Sequence, residues 1–214
     1  MVLSIENFNK LQEELALKKA TLVAVSKLKT AEDILELYKL GQRDFGENFV
    51  QELLIKYELL PKDIRWHFIG HLQSNKVKYI VPFVHLIHGI DRQRLLSEIN
   101  KQAATAGTTV NCLLQIHIAE EETKFGMDEM ELEKIVIEQY QNIKISGLMG
   151  IASFSSDQNK IRDEFKKLKT LFDKLKMKYS FSILSMGMSG DYKLALEEGS
   201  NMVRIGSLLF GNRR

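Results

Sequence analysis

Eight short apolar segments alternate with stretches of helical periodicity between residues 22 and 206, and this alternation restricts the fold more than any single motif. The strand candidates are LVAVS (22–26), RDFGE (43–47), RWHFIG (65–70), VHLIHGI (84–90), VNCLLQIHI (110–118), IKISGLMGI (143–151), FSILSMG (181–187) and NMVRIG (201–206). Helical patterns fall near 31–40, 48–58, 72–80, 92–106, 128–140, 158–178 and 191–198. The pattern at 158–178 is the clearest. Ile161, Phe165, Leu168, Phe172 and Leu175 recur at helical spacing, and lysines fill the other face, which is expected to be solvated. Thr30 with Asp33 reads as a capping box, Asp91 and Asp128 as N-caps, and Gly41, Gly107 and Gly199 as helix stops. Strands separated by helices pair in parallel through right-handed crossovers. Eight such units behind an extra N-terminal helix predict an α/β fold, a (β/α)8 TIM barrel forming one domain over residues 1–214. An open doubly wound sheet is the alternative. It would carry a glycine-rich turn after its first strand, and TLVAVSKLKT (21–30) contains no glycine.

Composition narrows the function by exclusion. A net charge of +2 with dispersed basic residues gives no nucleic-acid signature. No apolar run approaches the ~20 residues that span a bilayer, and the N-terminus reads as an amphipathic helix, so a cytoplasmic protein without a membrane partner is expected. The lone cysteine, Cys112, permits no internal disulfide framework or cysteine-based metal site, and VNCLLQI reads as a core thiol. His67 and His71 are spaced like metal ligands but straddle a strand–loop junction without a helix, so no metal is expected. His85, His88 and His117 fall in strands and are expected to pack or pair with backbone.

A barrel gives one residue particular meaning. If Val23 and Val25 point inward, so does Lys27, at the C-terminal rim where barrel enzymes place their sites. The same rim receives Glu47 and Asn48 after strand two, and His67 to His71 around the end of strand three. SMGMSGD (185–191) and RIGSLLFG (204–211) each combine glycine with a hydroxyl residue after strands seven and eight. There backbone N–H groups can approach an anion, and barrels often bind phosphate at that place. A lysine beside a phosphate site suits a phosphorylated aldehyde such as pyridoxal 5′-phosphate (PLP), held as a Schiff base, but a rim lysine could equally bind a substrate phosphate. Lys29 is expected to be exposed, Lys76 to contact an anion or solvent, and Lys124 to shape the rim.

The motifs AVSK (24–27), FGENFVQE (45–52), WHFIGHLQSNK (66–76), ID (90–91), K-x-G (124–126), GLM (147–149), LSMGMSGD (184–191) and MVRIGSLLFG (202–211) are long and in order. Through them the chain resembles, over nearly its full length, the pyridoxal-phosphate homeostasis protein family, the YggS/PROSC group. The resemblance implies a barrel similar to the N-terminal domain of alanine racemase and a role in vitamin B6 homeostasis. It implies Lys27 as the Schiff-base lysine. Met188, Ser189, Gly206 and Ser207 correspond to the phosphate cradle, Arg204 to the arginine facing the pyridine nitrogen, and Asn48 and His67 to residues lining the pocket.

A cation at the ring nitrogen opposes its protonation and weakens the ring as an electron sink. Related racemases use a second domain and a partner's tyrosine; this chain is expected to have neither, and Tyr192 is expected to pack on the barrel exterior. A non-enzymatic PLP carrier is therefore expected, monomeric, with PLP-dependent apoenzymes as recipients. A racemase-like enzyme using PLP and a cofactor-free barrel enzyme acting on a sugar phosphate are the competing readings.

Overall fold

The computed structural model describes residues 4–121 and 124–211. Helix α1 (Ile5–Lys18) opens the chain, with the Ser4 hydroxyl accepting from the Asn7 N–H as its cap. Eight strands follow: β1 (Thr21–Val25), β2 (Asp44–Glu47), β3 (Arg65–Phe68), β4 (Leu86–Ile90), β5 (Val110–Ile116), β6 (Ile143–Gly150), β7 (Ile183–Met188) and β8 (Met202–Ile205). They are parallel and bonded in ring order. β8 returns to β1 from Thr21↔Met202 to Ala24↔Ile205, which closes the barrel. This is the expected (β/α)8 architecture with its additional N-terminal helix.

Around the barrel lie α2 (Ala31–Lys39), α3 (Val50–Leu59), α4 (Val77–Ile80), α5 (Gln93–Thr105), α6 (Glu129–Glu133), α7 (Gln158–Tyr179), α8 (Tyr192–Glu197) and α9 (Ser207–Phe210). The Thr30–Asp33 capping box is formed, and Asp128 makes a second one with Glu131. Gly41, Gly107 and Gly199 all take positive φ behind their helices, as helix stops do. Two expectations fail. Asp91 does not cap α5: the N-cap is Arg92, without a side-chain bond, and Asp91 pairs instead with His71 and Arg92. The helix expected over 128–140 ends at Glu133 and gives way to a turn and a short 3-10 segment, Ile137–Gln139. Ile135, Val136 and Ile137 are consecutive β-branched residues, which lose rotamer freedom in a helix.

Two apolar clusters hold the molecule. The larger lies between strands and helices and includes Phe45, Trp66, Phe68, Phe165 and Cys112. The smaller, Val23, Leu86, Leu113, Met149 and Met202, fills part of the barrel interior. Because inward residues recur every second position, His88, Ser185 and Arg204 lie on inward rows, two places on from Leu86, Ile183 and Met202. A concavity of about 970 Å³ is an open groove on α7 lined by Lys160, Lys166, Lys167 and Lys174 among acidic residues. It is the solvated face that the periodicity predicts.

Candidate functional site

β1 carries Lys27 to the rim. Lys27 shares a cavity of about 420 Å³ with Met188, Ser189 and Gly190 after β7 and with Gly206 and Ser207 after β8; buried Arg204 lies below. Six of the eight residues expected at the site are thus brought together. Lys29 lines the same cavity and is half-buried, contrary to its expected exposure. Its ammonium donates to the Phe210 carbonyl at 3.3 Å and lies over the Phe210 ring. Phe154, fully exposed, stands at the mouth.

The two glycine loops meet directly, since the Gly206 N–H donates to Ser189 Oγ at 3.2 Å. The Met188 N–H donates to Asp191 Oδ1 at 2.5 Å, closing the turn before α8. Burial pushes the Asp191 carboxyl pKa up, against the Met188 hydrogen bond and the Arg204 charge. Gly187 takes φ +96°, and a Cβ there would sit 2.6 Å from the Ala195 Cβ, so the chain needs glycine to leave β7 this close to α8. At Gly190 an added Cβ would meet nothing within 4 Å, which leaves the loop open towards the cavity.

Arg204 is 4% exposed. Its Nη1 donates to the Ser185 carbonyl at 2.9 Å and to Ser185 Oγ at 2.7 Å, and its Nη2 to the Gly150 carbonyl at 3.0 Å. Burial pushes its pKa down to about 10, with Asp191 opposing.

Behind Lys27 is a buried polar group that no sequence pattern revealed. Glu47 does not face the rim cavity; it points into the helix layer, fully buried, as the outward partner of inward Gly46. Its Oε1 accepts from Ser26 Oγ at 2.6 Å and from Lys56 Nζ at 2.7 Å. Lys56 also donates to the Ser26 carbonyl at 2.7 Å and to Glu52 Oε1 at 2.6 Å. Glu52 Oε1 in turn accepts from the Leu28 N–H at 2.6 Å, where the backbone adopts φ 61°. The residues on both sides of Lys27 are therefore anchored, one of them in a left-handed conformation that costs a non-glycine residue about 1–2 kcal/mol. The sequence shows only Glu52 and Lys56 at i,i+4, which reads as an ordinary surface pair.

Asn48 and His67 lie elsewhere. Asn48 lines a separate cavity of about 290 Å³ with His71, Gln73 and Lys76. Its buried Oδ1 has no hydrogen-bond partner among the described residues. His67 lies at the opposite end of the barrel, in a cavity of about 360 Å³ lined by Thr21, Asp44, Arg65 and His85 at the strands' N-terminal ends. β3 has only four residues, and its register, Gly46↔His67↔Leu86, puts His67 beside the first residue of β4, well below the rim.

Asp44, His67 and His85 bring one ligand atom each within 4.8 Å of one another. Asp44 is already engaged, however. Arg65 Nε and Nη2 donate to its two oxygens at 2.8 and 2.5 Å, and His67 Nε2 lies 2.9 Å from Oδ1. A guanidinium on the only carboxylate of the set opposes a dication. Tyr192 packs outside the barrel as expected, its hydroxyl donating to Glu14 of α1 at 2.8 Å. His88 is buried among side chains rather than paired with backbone, and Lys124 donates to the Ala152 carbonyl at 2.6 Å, bracing the rim.

A family model described as the alanine racemase N-terminal domain matches residues 5–214. The pyridoxal phosphate homeostasis protein of Aquifex aeolicus is 42% identical over 200 residues, covering 91% of this chain and 88% of the relative. The chain belongs to the pyridoxal phosphate homeostasis protein family. Its Escherichia coli K12 member is 38% identical, with 90% of this chain and 86% of that one covered. PipY of Synechococcus elongatus superposes with a TM-score of 0.91 without PLP and 0.88 with PLP bound, at 34% identity. Each comparison covers 96% of this chain and 99% of PipY. Alanine racemase of Bartonella henselae, 16% identical with a TM-score of 0.71, shares the fold; the match covers 96% of this family member and 59% of the racemase.

Proposed function

We propose that this chain, as one barrel domain, binds pyridoxal 5′-phosphate and serves its homeostasis without catalytic turnover. The carrying observation is the rim cavity that joins the Lys27 amine, the paired loops of Ser189 and Ser207, and buried Arg204. The open space at Gly190 and the hydroxyl-rich loops fit a phosphate; the buried guanidinium fits an acceptor nitrogen. Curated relatives covering about nine-tenths of the chain are named for PLP homeostasis, and PipY is described with PLP bound.

When bound, PLP supplies an aldehyde that an amine captures and a ring that accepts electrons. Lys27 would hold it covalently. Met188, Ser189, Gly206 and Ser207 would hold the phosphate, with the Met188 and Gly206 N–H groups exchanging their present partners Asp191 and Ser189. Arg204, a donor with no acceptor atom, would keep the ring nitrogen unprotonated, which discourages carbanion chemistry. Asn48 lines a separate cavity, so any part it plays at the cofactor would come from beside the site and not from the phosphate cradle.

The relatives' names point to homeostasis rather than to an enzyme. The proposal includes a cytoplasmic location and PLP-dependent apoenzymes as recipients. No helix among the described residues is long and apolar enough to cross a membrane. A monomer is proposed because the closed barrel leaves no sheet edge to pair.

The test is the absorption spectrum with PLP, before and after borohydride, beside Lys27→Ala. A band that reduction fixes to Lys27, absent in the variant, is the expected result. A protein that takes up no PLP refutes the reading and favours the sugar-phosphate enzyme. Exchange of an amino acid's α-proton in deuterated water would favour the racemase-like one.

A further inference from the structure

Below the cofactor cavity, a continuous line of side chains runs down the barrel interior. Arg204 Nη1 lies 2.7 Å from Ser185 Oγ, Ser185 Oγ 3.2 Å from His88 Nδ1, His88 Nε2 2.9 Å from His67 Nδ1, and His67 Nε2 2.9 Å from Asp44 Oδ1. The line starts beside the rim cavity and ends in the cavity at the opposite end of the barrel. All five residues are buried, and His88 is 0% exposed.

Donor and acceptor chemistry gives this line a direction. A guanidinium only donates, so Ser185 Oγ accepts from Arg204. The hydroxyl has a second acceptor site, so the far end sets the polarity: ionised Asp44 only accepts, which makes a neutral His67 the Nε2–H tautomer with Nδ1 bare. His88 therefore donates from Nε2 to His67 Nδ1, and its own bare Nδ1 accepts the Ser185 hydrogen. That completes the sequence with every hydrogen placed. The opposite polarity would turn two acceptors, His67 Nε2 and Asp44 Oδ1, on each other at 2.9 Å, or require a second proton on His67.

The charges at both ends agree. Burial alone would raise the Asp44 pKa, but hydrogen bonds from Arg65 and His67 outweigh it and hold the carboxyl well below its usual range. Burial above all, with the Arg204 charge beside it, holds His88 well below 6.5, as a neutral ring requires.

We infer that Asp44, His67, His88 and Ser185 form a one-way hydrogen-bond chain that positions Arg204, and through it the nitrogen side of the cofactor site. The inference rests on the PLP reading for its functional end only. It gives His67 a role at a distance from the pocket, and it ties the far mouth of the barrel to the electronics of a group bound at the rim. Aligned hydrogen bonds polarise one another, so anchoring at Asp44 strengthens the bond that Arg204 makes to Ser185.

The first test needs no cofactor: nitrogen-15 spectra of the histidine rings in the full chain at neutral pH. Both His67 and His88 are expected as neutral Nε2–H tautomers. A doubly protonated His67, or Nδ1–H on His88, overturns the chain. The second test compares wild type with Ser185→Ala and with Asp44→Ala, whose site is at the far mouth. Each is expected to weaken PLP binding, by about tenfold for Ser185→Ala, on the scale of a hydrogen bond to a charged group. Each is also expected to shift the bound absorption maximum. Groups that merely fill space would lower thermal stability without moving the band, and an unmoved band with wild-type affinity in both variants overturns the positioning role. If wild type itself takes up no PLP, the cofactor reading fails, and the histidine spectra still decide the chain.

Discussion

Lys56→Met is the perturbation that most directly tests how Lys27 is held in place. The Lys56 side chain is 6% exposed and makes three hydrogen bonds, to the Ser26 carbonyl, Glu47 and Glu52. Methionine keeps the length and loses the charge. Glu47, fully buried and with Oε2 already lacking a partner among the described residues, would then keep only the Ser26 hydroxyl. Removing one member of a buried pair costs about 3–5 kcal/mol. For a chain of this size that is about 6–20 °C in Tm.

The loss should depend on pH. Burial already raises the Glu47 pKa above 4.5, against the charge and hydrogen bond of Lys56. A raised acid pKa means the folded state holds the proton more tightly, so this group's contribution to stability is complete below its unfolded value and declines as pH rises through the folded one. Without Lys56 the folded value climbs further. The variant should therefore lose little at pH 5 and most at pH 8, read by urea unfolding at both. Lys56→Met with Glu47→Gln should regain much of the loss, because the uncompensated charge is gone. A loss under about 1 kcal/mol, or one that is the same at both pH values, would refute the account, since an exposed pair would behave that way.

Two further outcomes follow from other parts of the site. Gly187→Ala forces a side chain into φ +96° and against Ala195, so it should cost about 1–3 kcal/mol in thermal unfolding and weaken PLP binding together; a neutral result would mean the turn after β7 relaxes freely. Asp44, with its pKa held low, contributes stability that is present above about pH 4, near the ordinary carboxylate value. That contribution is lost as pH falls towards the folded value, so Asp44→Asn should flatten the acid limb of the stability profile between pH 4 and pH 2. An acid limb as steep as that of wild type would show that Asp44 is not the group responsible.

The barrel was legible because it is written in short-range chemistry. Thr30–Asp33 and Asp128–Glu131 cap helices through residues three apart, and the positive-φ glycines sit where periodic runs stop. Where local rules competed, the reading failed: Asp91 has the right residue type for a cap but is claimed by His71 and Arg92, and the β-branched run at 135–137 ends a helix that its charged flanks suggest. The rim was legible in the same way, since alternation carries inward Val23 to inward Lys27. The depth of a residue along the barrel was not. His67 faces inward as alternation requires, yet strand register sets it at the far mouth, and register depends on strands distant in sequence. Glu47 was expected at the rim, and its pairing with Lys56 escaped notice for the same reason: their meeting depends on how α3 packs on β2.

The inward rows themselves carry the last step. A small barrel is ordinarily filled by layers of branched apolar side chains, and here Val23, Leu86, Leu113, Met149 and Met202 do fill part of it. Four other inward places hold His67, His88, Ser185 and Arg204, each at most 4% exposed. Polar groups at such depth are destabilising unless satisfied, and an apolar set of similar volume would often be the more stable filling. The four are joined one to the next from Asp44 onward, and the series ends on a guanidinium beside the cavity of Lys27. Departures from the rule of apolar packing that converge on one site, and nowhere contradict one another, are what function requires of an interior. On that ground the polar half of this barrel is better understood as part of the binding site than as part of the core.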